Sequence, residues 1–117
     1  MPIAFLLPLL AVSSAAPSEA RAAEHSCHWV EGRLQGGNGT PAYRIWPRGT
    51  RRLLGVTTAG FDAEAADVIP ANVAHYLRAN RTDRLWGRFL VCPLAPERAG
   101  RMRPVRLLAA RRLSPAP

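Results

Sequence analysis

Short stretches in which apolar and polar residues alternate make up much of the chain after Cys27. Alternation with a period of two predicts half-buried β-strands, because successive side chains of a strand point to opposite faces. The pattern predicts strands over residues 28–35, 42–46, 51–57 and 84–94. Between the first two, Asn-Gly predicts a hairpin turn, since both residues tolerate a positive φ.

A different periodicity precedes the fourth strand. Val73, Tyr76 and Leu77 recur at the three- and four-residue spacing of a helix. Together with Pro70, which suits a helix start, they predict a short helix over residues 70–79.

The order of these elements predicts the fold. Residues 105–113 fit either a last strand or a terminal helix, since they hold few β-branched residues. Three strands, a helix and one or two further strands match a small, mainly β, antiparallel barrel of the OB type. Another small antiparallel barrel or a sandwich is the alternative. We expect a single domain over residues 24–113, with a frayed tail at residues 114–117.

The first segment has the pattern of a secretory signal. Apolar residues run from Ile3 to Val12, and small residues follow. The run is shorter than the about 20 residues that cross a bilayer. We therefore expect residues 1–23 to be a signal peptide or leader, with cleavage near Ala23. The mature protein is then periplasmic or secreted, with no membrane-spanning segment.

The charge is strongly positive and is carried by one residue type. The 117 residues include 16 basic and 8 acidic ones, for a net charge of +8, and every basic residue is arginine. The planar guanidinium suits phosphate, sulfate and carboxylate groups. Such a chain is expected to associate with anionic polymers or lipid headgroups at low salt.

Two cysteines raise three interpretations. Cys27 lies between His25 and His28, and these three side chains suggest a zinc site. A zinc site needs a second pair of ligands elsewhere in the chain, and the sequence contains no second pair at the usual spacing. A catalytic thiol needs an oriented base, and an exported free thiol tends to oxidise. A disulfide between Cys27 and Cys92 is favoured, because these residues open the first strand and close the fourth, which are neighbours in an OB-type barrel. Such a bridge contributes roughly 4 kcal/mol.

Arginines and aromatic residues lie close together along the strands and turns. The candidate anion-binding residues are Arg48, Arg51, Arg52, Arg88, Trp46 and Trp86. On a barrel face they could hold a glycan or a single strand of nucleic acid. The alternative is that the tryptophans belong to the core and the arginines form a solvated surface. Export disfavours nucleic acid and favours anionic envelope components, such as the phosphates of lipopolysaccharide or acidic glycans.

Catalysis is the competing class of function. No nucleophile elbow, phosphate loop, dinucleotide fingerprint or metal motif is present. An enzyme would need a site formed by the fold, for which His75 and the carboxylates Asp62, Glu64 and Asp67 are the first candidates. We expect no enzymatic activity, no cofactor and no metal.

One series of motifs resembles a known family. In order, the chain contains Gly32-Arg33-Leu34, Asn38-Gly39-Thr40-Pro41, Arg44-Ile45-Trp46, residues 49–56 (GTRRLLGV) and residues 87–94 (GRFLVCPL). The series resembles a family of small, exported, uncharacterised proteins from alphaproteobacteria. That family's pattern has an acidic residue in place of Arg88 and a cysteine in place of Arg106. The resemblance implies export and a small domain, but no activity. We therefore expect a binding or structural module of the periplasm or cell envelope.

Overall fold

Five strands and one helix make up the part of the chain that the structure describes. The computed structural model describes residues 26–57 and 68–117. The elements are β1 (His28–Gly36), β2 (Tyr43–Pro47), β3 (Leu54–Val56), α1 (Ala71–Ala79), β4 (Arg84–Pro93) and β5 (Arg103–Pro115). The leader, His25 and the three carboxylates at residues 62–67 lie outside the described residues.

The strands close into a barrel. Their order around it is β1-β2-β3-β5-β4, with β4 returning to β1. Four of the pairings are antiparallel, and β3 with β5 is parallel. A parallel pair needs a long connection, which α1 and β4 provide between β3 and β5. With a helix between the third and fourth strands, this is the OB order that the sequence predicts.

The barrel core is formed by the inward residues of each alternating strand. Leu34, Ile45, Leu85, Phe89 and Val91 are fully buried. The remaining buried apolar residues are Leu54, Val56, Ile69, Val73, Cys92, Val105 and Leu107. No tryptophan belongs to this buried set, and all three tryptophans are half-buried instead. Val73 brings α1 onto the core, which confirms the apolar helical spacing.

The disulfide joins the two strands that the sequence pairs. His28 lies opposite Val91 in the antiparallel β1–β4 pair, which places the preceding Cys27 beside Cys92. The two sulfurs are bonded, with 4.1 Å between the Cα atoms. The prediction of a Cys27–Cys92 bridge is confirmed. Neither sulfur is left as a nucleophile or a thiolate metal ligand.

The end of the chain differs from the boundary that the sequence predicts. Residues 105–113 are strand, not helix, and β5 continues through Ser114 to Pro115. Those two residues pair with Trp86 and Leu85 of β4. A partner strand therefore orders residues whose own composition predicts fraying.

Two local details also differ. The predicted hairpin between β1 and β2 is present, but neither Asn38 nor Gly39 has a positive φ. Within the described residues, positive φ angles occur at Gly49, Arg81, Gly100 and Arg112. A glycine inside a strand often marks a bend or a bulge, but Gly55 lies in the regular part of β3. An added Cβ there would lie 2.8 Å from Cγ of Pro41, so close packing explains this glycine better than a bend.

Candidate anion-binding face

A row of tryptophan, arginine and tryptophan crosses the outside of the barrel. Arg33 of β1 lies opposite Trp46 of β2 on one side and opposite Trp86 of β4 on the other. Because side chains alternate along a strand, the neighbouring Leu34 points into the barrel. A shift of one residue in the register of β1 would place Arg33 inside and Leu34 outside. The Arg33 guanidinium carbon lies 5.0 Å from the centre of the Trp46 ring. Its Nε is buried with no hydrogen-bond partner among the described residues.

A second outward row is richer in charge. Glu31 of β1 lies opposite Arg88 of β4, which lies opposite Arg111 of β5. Arg48 joins this row from the turn after β2, where its backbone N–H donates to the Glu31 carbonyl at 2.7 Å.

Each tryptophan on this side has at least one guanidinium close to its ring. Arg48 lies 4.9 Å from the centre of the Trp86 ring. Arg111 and Arg88 lie 4.0 and 5.8 Å from the centre of the Trp29 ring. These distances are within the about 6 Å at which a cation is attracted to an aromatic face. The three tryptophans are half-buried, so the arginines cover indole surface that would otherwise meet water.

A β-bulge adds one more arginine to this face. Trp86 pairs with Ser114 and Arg88 pairs with Arg111, so one residue of β4 lies opposite two residues of β5. Arg112 has a φ of 56°, which is unusual for a residue other than glycine. The bulge interrupts the inward–outward alternation. Arg112 therefore lines the same outer surface as Arg88, and Leu113 packs against the core.

These side chains surround a shallow groove of about 150 Å³. We call it the groove; it is lined by Glu31, Gly32, Arg48, Trp86, Gly87, Arg88, Arg112 and Ser114. The arginine face is the groove together with the neighbouring Arg33 and Arg111. Neither set contains an aliphatic side chain, so hydrogen bonding and charge dominate the groove.

The arginine face carries positive charge without a matching set of carboxylates. Among residues 26–57 and 68–117, the ion pairs are Arg52 with Glu97 at 2.7 Å and Arg84 with Asp83 at 2.9 Å. Arg84 donates to Asp83 and holds the pKa of that carboxyl below its ordinary value. Both pairs lie outside the groove. The groove arginines are therefore available to an external anion.

The predicted anion-binding residues divide into two places. Arg48, Arg88 and Trp86 come together at the groove, and Trp46 lies one row away beside Arg33. Arg51 and Arg52 lie in the connection between β2 and β3. Arg52 is bound to Glu97 and lines a separate pocket with His28, Leu54 and Val105.

The sequence prediction missed one tryptophan beside the arginine face and four charged residues of the face itself: Trp29, Glu31, Arg33, Arg111 and Arg112. Alternation in β1 places the first three on the same side as one another. That signal was available in the sequence. Alternation in β5, in contrast, assigns Arg111 and Arg112 to opposite faces, and only the bulge brings them together.

Within the described residues, the candidates for catalysis do not come together as a site. His75 is exposed on α1, and its carboxylate candidates lie outside the described residues. Within the described part of the chain, no three histidine, cysteine, aspartate or glutamate side chains lie close enough together to hold a metal ion. In the same part, none of the helical structure has the length and apolar character to span a bilayer.

The fold and the face together define a small OB-like barrel with an arginine-rich outer surface. No family model, curated protein or solved structure matches the chain. The resemblance to exported alphaproteobacterial proteins therefore stays a prediction.

Proposed function

We propose that this protein is a non-catalytic binding module that holds anionic polymers of the cell envelope on its arginine face. The observation that supports this most strongly is the convergence of Arg48, Arg88, Arg111 and Arg112 on one side of the barrel. They come from three segments of the chain, and none has a carboxylate partner within the described residues. Unpaired like charges repel one another, and an external polyanion would relieve that repulsion.

The tryptophans support this function by positioning the arginines. A guanidinium has its hydrogen-bond donors in its plane, so stacking on an indole leaves those donors free for an oxyanion. Stacking also restricts a side chain that otherwise carries about 2 kcal/mol of rotamer entropy. Arg48 over the Trp86 ring and Arg111 over the Trp29 ring are thus partly ordered before a ligand arrives.

The same stacking argues against a platform for bases or sugars. Single-strand binders usually offer exposed aromatic faces to successive bases. Here each of the three tryptophan rings already has a guanidinium within 6 Å of its centre. Recognition through phosphate, sulfate or carboxylate groups fits this surface better than recognition through stacking.

Export of the protein is part of the proposal. The apolar leader with its small-residue zone and the Cys27–Cys92 bridge both suit an oxidising compartment outside the cytoplasm. The polyanions that such a protein meets carry phosphates of lipopolysaccharide or acidic glycans, and these are the partners we propose.

Binding of the oxidised protein to lipopolysaccharide at rising salt tests the proposal. We expect binding at low ionic strength that weakens as salt screens the charges. Replacing Arg48 and Arg88 by glutamine should weaken it about tenfold or more, because each removes a hydrogen bond between charged groups. The matched control replaces Arg51 and Arg98, two exposed arginines away from the groove, and should have a smaller effect.

Two results would overturn the proposal. One is the absence of binding at low salt. The other is an equal loss of affinity in the groove variant and the control variant, which would show attraction by net charge alone. A single-stranded oligonucleotide serves as a competitor, and its displacement of lipopolysaccharide at equal phosphate concentration would exclude preference for the envelope ligand.

A further inference from the structure

The groove contains one carboxylate among its arginines. Glu31 is exposed, lines the groove with Arg48, Arg88 and Arg112, and lies directly opposite Arg88 across the β1–β4 pair. Even so, no guanidinium nitrogen among the described residues lies within 4.0 Å of its carboxylate oxygens, since its side chain takes part in neither of the ion pairs. Its oxygens therefore remain available as acceptors.

A purely anionic ligand does not explain this arrangement. Glu31 would repel such a ligand and would reduce the attraction of the three arginines. A ligand that carries an anion and a cation close together would instead use both kinds of group. Directly opposed residues of an antiparallel pair have Cβ atoms about 5 Å apart, which matches the scale of a short zwitterion.

The size of the groove restricts the ligand further. Its volume of about 150 Å³ is below the roughly 300 Å³ at which pockets for drug-sized molecules begin. A phosphoryl group with a short amine arm fits within that volume. The groove is open at the surface, so the remainder of a larger molecule can stay in solvent.

We propose that the groove is a subsite for a phosphate ester with a primary ammonium two carbons away, the chemistry of phosphoethanolamine. Arg48, Arg88 and Arg112 donate to the phosphoryl oxygens, and Glu31 accepts from the ammonium. This inference rests on the proposed function and names the group that the arginine face recognises. The group occurs on lipid headgroups and on decorated glycans, and both present the same chemistry.

The backbone of Arg112 gives independent support. A residue other than glycine with a φ of 56° is held in a disfavoured conformation by its surroundings. Bulges of this kind re-aim side chains and are frequent beside functional sites. Here the bulge takes Arg112 out of the regular alternation and places it at the groove. The unfavourable backbone thus adds a third guanidinium to the subsite.

The test compares two soluble probes that differ in the ammonium group: O-phosphoethanolamine and ethyl phosphate. Chemical shifts of the Trp86 indole N–H and the arginine Nε–H groups in the oxidised protein report binding. We expect O-phosphoethanolamine to bind about threefold more tightly, as suits one exposed ion pair. Glu31→Gln should abolish that preference and strengthen the binding of ethyl phosphate. Arg112→Gly should weaken the binding of both probes.

Glu97→Gln is the matched control, because it removes the same charge away from the groove and should keep the preference. Equal binding of both probes to the unchanged protein, or a preference that survives Glu31→Gln, would overturn the subsite. Lipopolysaccharide binding would survive in that case, and with it the proposed function. If the protein binds neither lipopolysaccharide nor the probes, both fail. Vesicles containing phosphatidylethanolamine separate the two sources. Binding to them supports the lipid headgroup, whereas binding to the soluble probe alone excludes the lipid headgroup and leaves the glycan decoration.

Discussion

Arg111 and Arg112 are consecutive in β5, yet both side chains lie on the outer side of the barrel. Arg111 stacks on Trp29, and Arg112 lines the groove beside Arg88. Two adjacent residues of a regular strand would point to opposite faces. The bulge opposite Gly87 removes that constraint and concentrates the charge of β5 on one surface.

Arg112→Gly should separate stability from binding. A glycine adopts a positive φ freely, so the variant should keep its free energy of unfolding or gain about 1 kcal/mol. It should bind lipopolysaccharide less tightly, because one groove guanidinium is lost. Urea denaturation measures the first quantity. Arg112→Ala is the control, since it removes the charge but keeps the strained backbone. A less stable glycine variant would contradict the argument from strain.

Trp29→Leu tests whether the tryptophans position the arginines. The change removes the ring under Arg88 and Arg111 and should lower the free energy of unfolding by about 1 kcal/mol. Binding to lipopolysaccharide should weaken even though no charge is removed. Trp29→Phe keeps an aromatic face and should retain most of the affinity. Unchanged binding in the leucine variant would show that the rings only cover the barrel surface.

Removal of the disulfide should destabilise the protein strongly. The bridge links residues that are 65 positions apart, and a loop of this length contributes roughly 4 kcal/mol through the entropy of the unfolded chain. The double variant Cys27→Ala and Cys92→Ala should lose about that much in urea denaturation. Adding reductant should lower the stability of the parent protein and leave that of the double variant unchanged. A loss below about 1 kcal/mol would show that the barrel does not depend on the bridge.

Gly32→Ala should be among the most damaging small substitutions in the barrel. A Cβ at this position would collide with the backbone carbonyl of Trp46 and lie 2.9 Å from Cα of Pro47. The clash involves main chain of β2, which cannot move away without disturbing the pairing, so we expect a loss of about 2 kcal/mol. Gly37→Ala meets no atom within 4 Å and should change stability by less than about 0.5 kcal/mol. Similar thermal midpoints for the two variants would contradict this packing argument.

The sequence by itself determined the architecture of the barrel. Alternation in residues 28–35 and 84–94 fixed which side chains face inward, because only one register buries Leu34 and Phe89. The order of strands and helix favoured the OB arrangement over another small barrel or a sandwich. The same reasoning placed the two cysteines on neighbouring strands and predicted their bridge, which the structure confirms.

The tertiary structure alone decided the composition of the candidate site. Proximity in sequence grouped Arg48 with Arg51 and Arg52, but the barrel separates them, and Arg52 pairs with Glu97 instead. No pattern in the chain indicates that Arg112 joins Arg88. That contact depends on a bulge between β4 and β5, which places Gly87 opposite both Arg112 and Leu113. Local alternation determines the face of each residue within one strand. The register of each strand pair and the position of its bulges determine which residues of neighbouring strands meet. Register and bulges depend on contacts across the whole fold.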